Sequence, residues 1–455
     1  MTPLLVVVCI LVTSASAFLQ STQTHRRGIS SILLSSQQHA LIDISENSPR
    51  NIIPLYDWSA NVGIQICDSL RLVNSGDDGN DNLDICASTN AGIPAGSPVI
   101  YVPSESMLMG SYARSEYGDD AYDAEMYLAN AGKDSQTILH FYLFLKIIKE
   151  YELGDTSLWY SYLDSLPRYY SNGASMTDFC FGCLPPYAAE LSLADKRRLV
   201  HFVRALAEVP SVSYESRNNA ELTSWAYAVI RTRCIEFVDQ SDVCLVPMVD
   251  YFNHGGVMGV NVELAFDEYG NCQAYTTRDV GAGESLRICY GDSTNPSELL
   301  ARYGFLDESS SATFCKIVID NPSPALVDLG YHPSRMLFYN DGSIADEIWD
   351  VLCYQELGKV SHETQLDYYS AHMTGDEGRK QAYHEQYLTY TVSALRAHVN
   401  YLLNELEELG MGLEIQKSQG RDAIRHPRIS LILRHNEFVK KTLDAVQWNL
   451  DSTFP

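Results

Sequence analysis

The sequence predicts an α+β chain in which short strands are interrupted by a long helical insert and followed by an all-helical C-terminal region. Three observations carry this. Apolar runs bounded by glycine and proline turns occupy residues 62–102 and again 245–289. Between them, Ile138, Phe141, Leu145, Ile148 and Tyr151 recur at three- and four-residue steps, the period of a helix with one apolar stripe. Beyond about residue 310, Tyr383, Tyr387, Tyr390, Ala394, His398, Leu402, Leu406 and Leu409 continue that period, with Gly410 at the expected stop.

In chain order, the first segment reads as a leader. Leu4 to Val12 is a short apolar run followed by Ala15-Ser16-Ala17, the small-x-small pattern of a secretory signal peptide over 1–17. Residues 18–45 begin with a stretch rich in hydroxyls, basic at Arg26 and Arg27 and free of acids as far as Ile42, the composition of a transit peptide. The joined pair, with Phe18 at the junction, resembles the bipartite leaders of algae with secondary plastids and predicts plastid import. The alternative is plain secretion through the ER.

Strand-like runs follow at Val62–Val73 and Pro98–Val102, separated by the turn-rich Asp77-Asp78-Gly79-Asn80-Asp81-Asn82. The helical pattern spans about 136–206. Strands return at Asn261–Ala265, Gln273–Thr276 and Ser285–Cys289. Nothing after residue 20 has the length of uninterrupted apolar sequence that a membrane span needs, so the mature chain is expected without one.

The chain has 455 residues, 45% hydrophobic and 20% charged, with a formal charge of −26. Such charge repels phosphate backbones and disfavours a nucleic-acid partner. Eleven cysteines are scattered apart from Cys180-Phe181-Gly182-Cys183. A lone CxxC does not make a structural zinc site, and two ordinary cysteines are the simpler reading; no metal is expected. Arg421, Arg425, Arg428, Arg434, Lys440 and Lys441 form a locally basic stretch, read equally as a docking patch or a solvated face.

The chemistry is concentrated in separated motifs. Trp225 to Arg233 is followed by Val246-Pro247-Met248-Val249-Asp250-Tyr251-Phe252-Asn253-His254. Then come Gly281-Ala282-Gly283-Glu284, Cys289-Tyr290-Gly291, Asn295, and Tyr303-Gly304-Phe305. With Ser157-Leu158-Trp159 and Leu166-Pro167 in the insert, these resemble the SET family over about residues 55–306. The resemblance is to the branch that holds the Rubisco large-subunit lysine methyltransferases and the actin histidine methyltransferases. It implies a SET domain over 50–306 with a knotted cofactor pocket and a helical insert at about 112–240, then a helical, substrate-docking domain over 310–455.

The resemblance further implies S-adenosylmethionine (AdoMet) as cofactor and a lysine-bearing protein as substrate. Tyr290 then aligns the amine, Tyr303 is a second aromatic at the reacting centre, and Phe305 walls the channel. Arg233 meets the cofactor's carboxylate, and Asn253 and His254 lie in its pocket. Where the family opens with a glycine-x-glycine turn, this chain has Ser59-Ala60-Asn61-Val62-Gly63, so Asn61 is expected to take the positive φ at the cofactor. The residue types suit methyl transfer, which needs a positioned, deprotonated nucleophile. Methylation of a plastid protein's lysine is the leading expectation, with the Rubisco large subunit or an aldolase as the family's precedents. Histidine methylation and a catalytically inactive SET-like binding module are its rivals. A Rossmann reading of Val327-Asp328-Leu329-Gly330 lacks the later glycines. A metalloprotease reading of His384-Glu385 fails because Leu388 stands where the second histidine belongs.

Overall fold

A computed structural model describes residues 39–74, 85–237, 241–256, 258–291, 294–317, 319, 321–332, 334–418 and 426–454. The signal peptide, residues 18–38, the 77–82 insertion, Arg421 and Arg425 lie outside them. Residues 39–45, assigned above to the leader, are part of the fold. Ile42 and Ile44 are buried in the main core, and Asp155 N donates to Ala40 O.

Short strands form the first half, as their glycine-bounded runs predict. An antiparallel sheet orders Gln65–Ile66, Pro98–Val102, Cys272–Thr276 and Val262–Phe266, so both ends of the strand-rich sequence meet in one sheet. A second sheet joins Leu108–Met109, Val243–Leu245 and Cys234–Glu236, closing the base of the insert. Asn253–His254 and Arg287–Ile288 pair in parallel. The expected 62–73 strand is divided: helix Ile53–Asn61 runs to its threshold, and Leu70–Asn74 pairs with Ile85–Thr89 instead of the main sheet.

Helices of the insert lie between Gly110 and Arg233. Ser135–Leu153 begins where the Asp134 carboxylate accepts from Thr137 N and ends at Gly154, whose φ of 55° no β-branched residue would adopt without strain. Phe141, Leu145 and Ile148 are buried as the stripe predicts, but so are Tyr142, Leu143, Phe144 and Ile147. The helix is therefore enclosed on most sides. Each such side chain contributes about 1.5–3 kcal/mol by leaving water.

The C-terminal region is helical, with Asp346–Val360, His362–Thr374, Glu377–Ser418 and Ile429–Thr453 around a core that includes Ile348, Leu395, Val399, Val439 and Leu443. Two expectations are corrected here. The buried stripe of Glu377–Ser418 runs through Val392, Leu395, Val399, Leu402 and Leu406, one residue on from Ala394 and His398, and Tyr390 is exposed. Gly410 does not stop the helix, since no left-handed turn forms there; a glycine inside a helix costs about 1 kcal/mol, which the surrounding turns absorb. Among the described residues no helix is long and apolar enough to cross a membrane.

Cys180 and Cys183 are buried ordinary thiols at the seam between the insert and the last helix. Burial pushes the Cys183 thiol up to about 11, and its Sγ donates to Phe179 O. The basic stretch also resolves. Lys440 pairs with Asp444 and Lys441 with Glu437 one turn away, Arg434 meets Glu308, and Arg428 turns inward.

Candidate active site

Two helices and one parallel strand pair assemble the site. Helix Ala220–Arg233, capped by the Asn219 side chain, carries Arg233 on its last turn. Helix Pro296–Tyr303, with Asn295 as cap and proline in its first turn, ends at Tyr303 because Gly304 turns left-handed at φ 79°. The parallel pair is locked by the buried Asn261. Its Oδ1 accepts from Arg287 N at 2.8 Å, and its Nδ2 donates to Ser285 O at 2.9 Å. This lock brings Tyr290 back beside His254, 36 residues earlier in the chain.

The result is a cleft of about 1390 Å³. It is lined by five of the residues singled out in the sequence: Arg233, Asn253, His254, Tyr290 and Tyr303, with Phe305 beside them. Asn61 does not join them. It is the last helical residue of Ile53–Asn61 and exposed, and the positive φ falls on Gly63 at 84°. The expectation for Asn61 is thus corrected: the left-handed backbone there belongs to Gly63, and Asn61 is not among the residues lining the cleft.

Arg233 is mostly buried at the cleft wall, where it pairs with the buried carboxylate of Asp250. Its Nη1 donates to Asp250 O at 2.7 Å and to Asp250 Oδ2 at 3.0 Å. Tyr162 Oη donates to the same Oδ2 at 3.1 Å. Burial pushes the Asp250 carboxyl upward and Arg233 offsets part of this. Burial also works against the Arg233 charge, but Asp250 and the tyrosines around it more than compensate. The guanidinium therefore keeps its proton and the pair is ionic.

The aromatic wall is held by its own hydroxyls. Tyr290 Oη donates to Phe252 O at 2.6 Å, and Tyr303 Oη donates to Tyr290 O at 3.0 Å. The Tyr290 and Tyr303 ring centroids are 4.8 Å apart, and Phe305 stands 6.2 and 6.1 Å from them. His254 Nδ1 accepts from Tyr290 N at 3.2 Å, which places the imidazole proton on Nε2, 3.6 Å from Asp307 Oδ2. Burial lowers the His254 pKa despite Asp307, so the ring is neutral at pH 7 and keeps Nδ1 free to accept.

Among the described residues, Arg233 Nε and Asp250 Oδ1 are buried cleft atoms without a hydrogen-bond partner, while His254 Nε2 faces Asp307 Oδ2 at 3.6 Å and Tyr170 interacts with Arg233. Orphans gathered at one cleft mark a place built to meet polar groups of a ligand. Asp250, Tyr170 and Asp307 were not singled out in the sequence. Asp250 stood inside the Val246–His254 motif, an acid in an otherwise apolar run. Tyr170 and Asp307 gave no periodic or motif signal.

No family model matches the chain. SET domain-containing protein 4 of Mus musculus is 26% identical over 185 residues, 35% of this chain and 40% of the relative. SET domain-containing protein 8 of Schizosaccharomyces pombe is 29% identical over 138 residues, 28% of this chain and 31% of the relative. The matched region is thus at most two fifths of those curated relatives' length. Among solved structures, Rubisco LSMT bound to AdoMet superposes with a TM-score of 0.58 at 14% identity, covering 89% of this chain and 92% of that one. Rubisco LSMT bound to sinefungin and monomethyllysine gives 0.59 at 14% identity over 88% and 92%. The strand-rich half split by helices, the helical C-terminal region and the motif order therefore make this chain a SET-fold protein, related in architecture to Rubisco LSMT.

Proposed function

We propose that the chain is an AdoMet-dependent protein N-methyltransferase that modifies lysine. The observation that carries this reading is Tyr290. Its hydroxyl lies at the cleft, donating to Phe252 O, beside two further aromatic rings where an amine would be aligned.

The cleft residues suit AdoMet. Arg233 and Asp250 line the cleft as an opposite-charge pair that suits an ammonium–carboxylate zwitterion, and the tyrosine faces suit a cationic centre. AdoMet supplies a methyl group on a sulfonium, open to in-line displacement. The chain's own part is to position and desolvate. An ammonium of pKa ~10.4 loses its proton more readily where apolar walls and a nearby positive charge disfavour the charged form. The Tyr290 oxygen then accepts an amine N–H and turns the nitrogen's lone pair along the channel. Tyr303 and Phe305 narrow that channel, and Tyr303 fixes the Tyr290 backbone. Lysine is favoured over histidine because the aromatic faces of Tyr290, Tyr303 and Phe305 suit a flexible alkylammonium.

Calorimetric titration of AdoMet is expected to show one site. Asn253→Ala should weaken it by about 1–3 kcal/mol, the cost of removing a polar partner from a partly buried site. An unchanged affinity in a folded variant removes Asn253 from the site. We also propose a plastid substrate, resting on the leader's composition. Residues 1–50 fused to a fluorescent reporter should be imported into the plastid, and accumulation in the medium refutes this.

A further inference from the structure

We propose that Arg428, at the head of the last helix, is a positioning residue for the cleft. It clamps two of the lining segments from outside, and the proposal rests on reading that cleft as the methyl-transfer site.

Arg428 is 8% exposed and precedes helix Ile429–Thr453. Its Nε donates to Tyr170 O at 3.0 Å, and its Nη2 donates to the same oxygen at 2.7 Å and to Glu46 Oε1 at 2.6 Å. The guanidinium carbon lies 4.7 Å from the Tyr169 ring centroid. One planar cation therefore ties the last helix to the N-terminal segment and to the insert. These contacts adjoin the cleft directly. Asn47 to Arg50 follow Glu46 and line it, as do Pro167 to Ser171. Tyr170 gives its carbonyl to Arg428 and lines the cleft, where its hydroxyl neighbours Arg233.

The opposite side of this segment is fixed by backbone. A Cβ on Gly304 would lie 2.5 Å from Ser171 C and 2.6 Å from Asn172 N, so the Tyr303–Phe305 turn rests against it without slack. The 167–172 strip is thus held between the aromatic wall and Arg428. Close to Arg428, the His426 ring lies 4.4 Å from the Phe179 ring at a tilt of 47°, and its Nδ1 meets Thr177 Oγ1 at 3.1 Å, seating residues 426–428 on the insert. An arginine suits the task because its fork satisfies a carbonyl and a carboxylate at once while its face covers a ring; a lysine supplies one point charge.

The test compares Arg428→Gln, Arg428→Lys and Glu46→Gln in the full chain by hydrogen exchange with mass spectrometry and by AdoMet calorimetry. Arg428→Gln should speed amide exchange in 47–50 and 168–172 by about tenfold or more, with Ser135–Leu153 unchanged. AdoMet affinity should fall by about tenfold with it, and Arg428→Lys should lie between. Glu46→Gln, which alters only a half-exposed acid, should loosen 47–50 alone and keeps the proposal testable if Arg428→Gln does not fold. Wild-type exchange in both segments overturns the clamp, as does loosening confined to the last helix. Loosened segments with unchanged AdoMet affinity also overturn it, leaving Arg428 a packing residue. A wild-type chain that binds no AdoMet refutes the methyltransferase reading, and exchange alone then decides the clamp.

Discussion

Tyr290→Phe is expected to lower the rate of methyl transfer by about 10²-fold or more at saturating AdoMet, the scale of a positioned catalytic group. The substitution removes one oxygen from the rim of the cleft and leaves the ring in its contacts with Tyr303 and Phe305. The Tyr290 backbone, held by His254 Nδ1 and by Tyr303 Oη, keeps its place. AdoMet affinity and thermal stability should therefore change little, while the amine loses the acceptor that aims it. The rate loss corresponds to about 2.7 kcal/mol of transition-state stabilisation. A variant with unchanged turnover and weakened AdoMet binding would make Tyr290 a binding residue only.

Asp250→Ala carries the largest expected loss of stability, about 3–5 kcal/mol, because it strands the Arg233 guanidinium in the interior. Asp250, whose side chain is buried, accepts from the part-buried Arg233 and from the buried Tyr162. The cost comes from the charge left behind more than from the pair's own attraction. Replacing both members, Arg233→Met with Asp250→Leu, should accordingly recover much of the stability while abolishing AdoMet binding. Denaturant unfolding of the single and double variants separates the two effects. A double variant as unstable as Asp250→Ala would show that the pair is needed for folding in its own right.

The fold's outline was legible because its signals are local. Glycine-bounded apolar runs marked the strands Pro98–Val102 and Cys272–Thr276, and a three-to-four period marked Ser135–Leu153. Strand partners were not, since pairing of Gln65–Ile66 with Pro98–Val102, or of Asn253–His254 with Arg287–Ile288, is decided by long-range closure. The Glu377–Ser418 stripe was read correctly at Leu402 and Leu406 but one residue off at Ala394 and His398, because tyrosines satisfy an apolar period while keeping their hydroxyls wet, as exposed Tyr390 does. Motif spacing picked out Arg233, Asn253, His254, Tyr290 and Tyr303, which the fold brings to one cleft. Asn61 was a wrong substitution because Gly63, two residues on, already supplied the left-handed turn. Arg428 was hidden in a run of basic residues whose other described members form surface ion pairs, and only packing distinguishes it.

Transfer of label from methyl-tritiated AdoMet tests the central reading most directly. Purified wild-type chain is incubated with plastid extract, and the labelled proteins are hydrolysed to amino acids. Label should appear in methylated lysine and be absent with Tyr290→Phe. Label in methylhistidine would overturn the lysine assignment. A chain that binds AdoMet yet transfers label to no polypeptide would contradict the account and leave a binding module in its place.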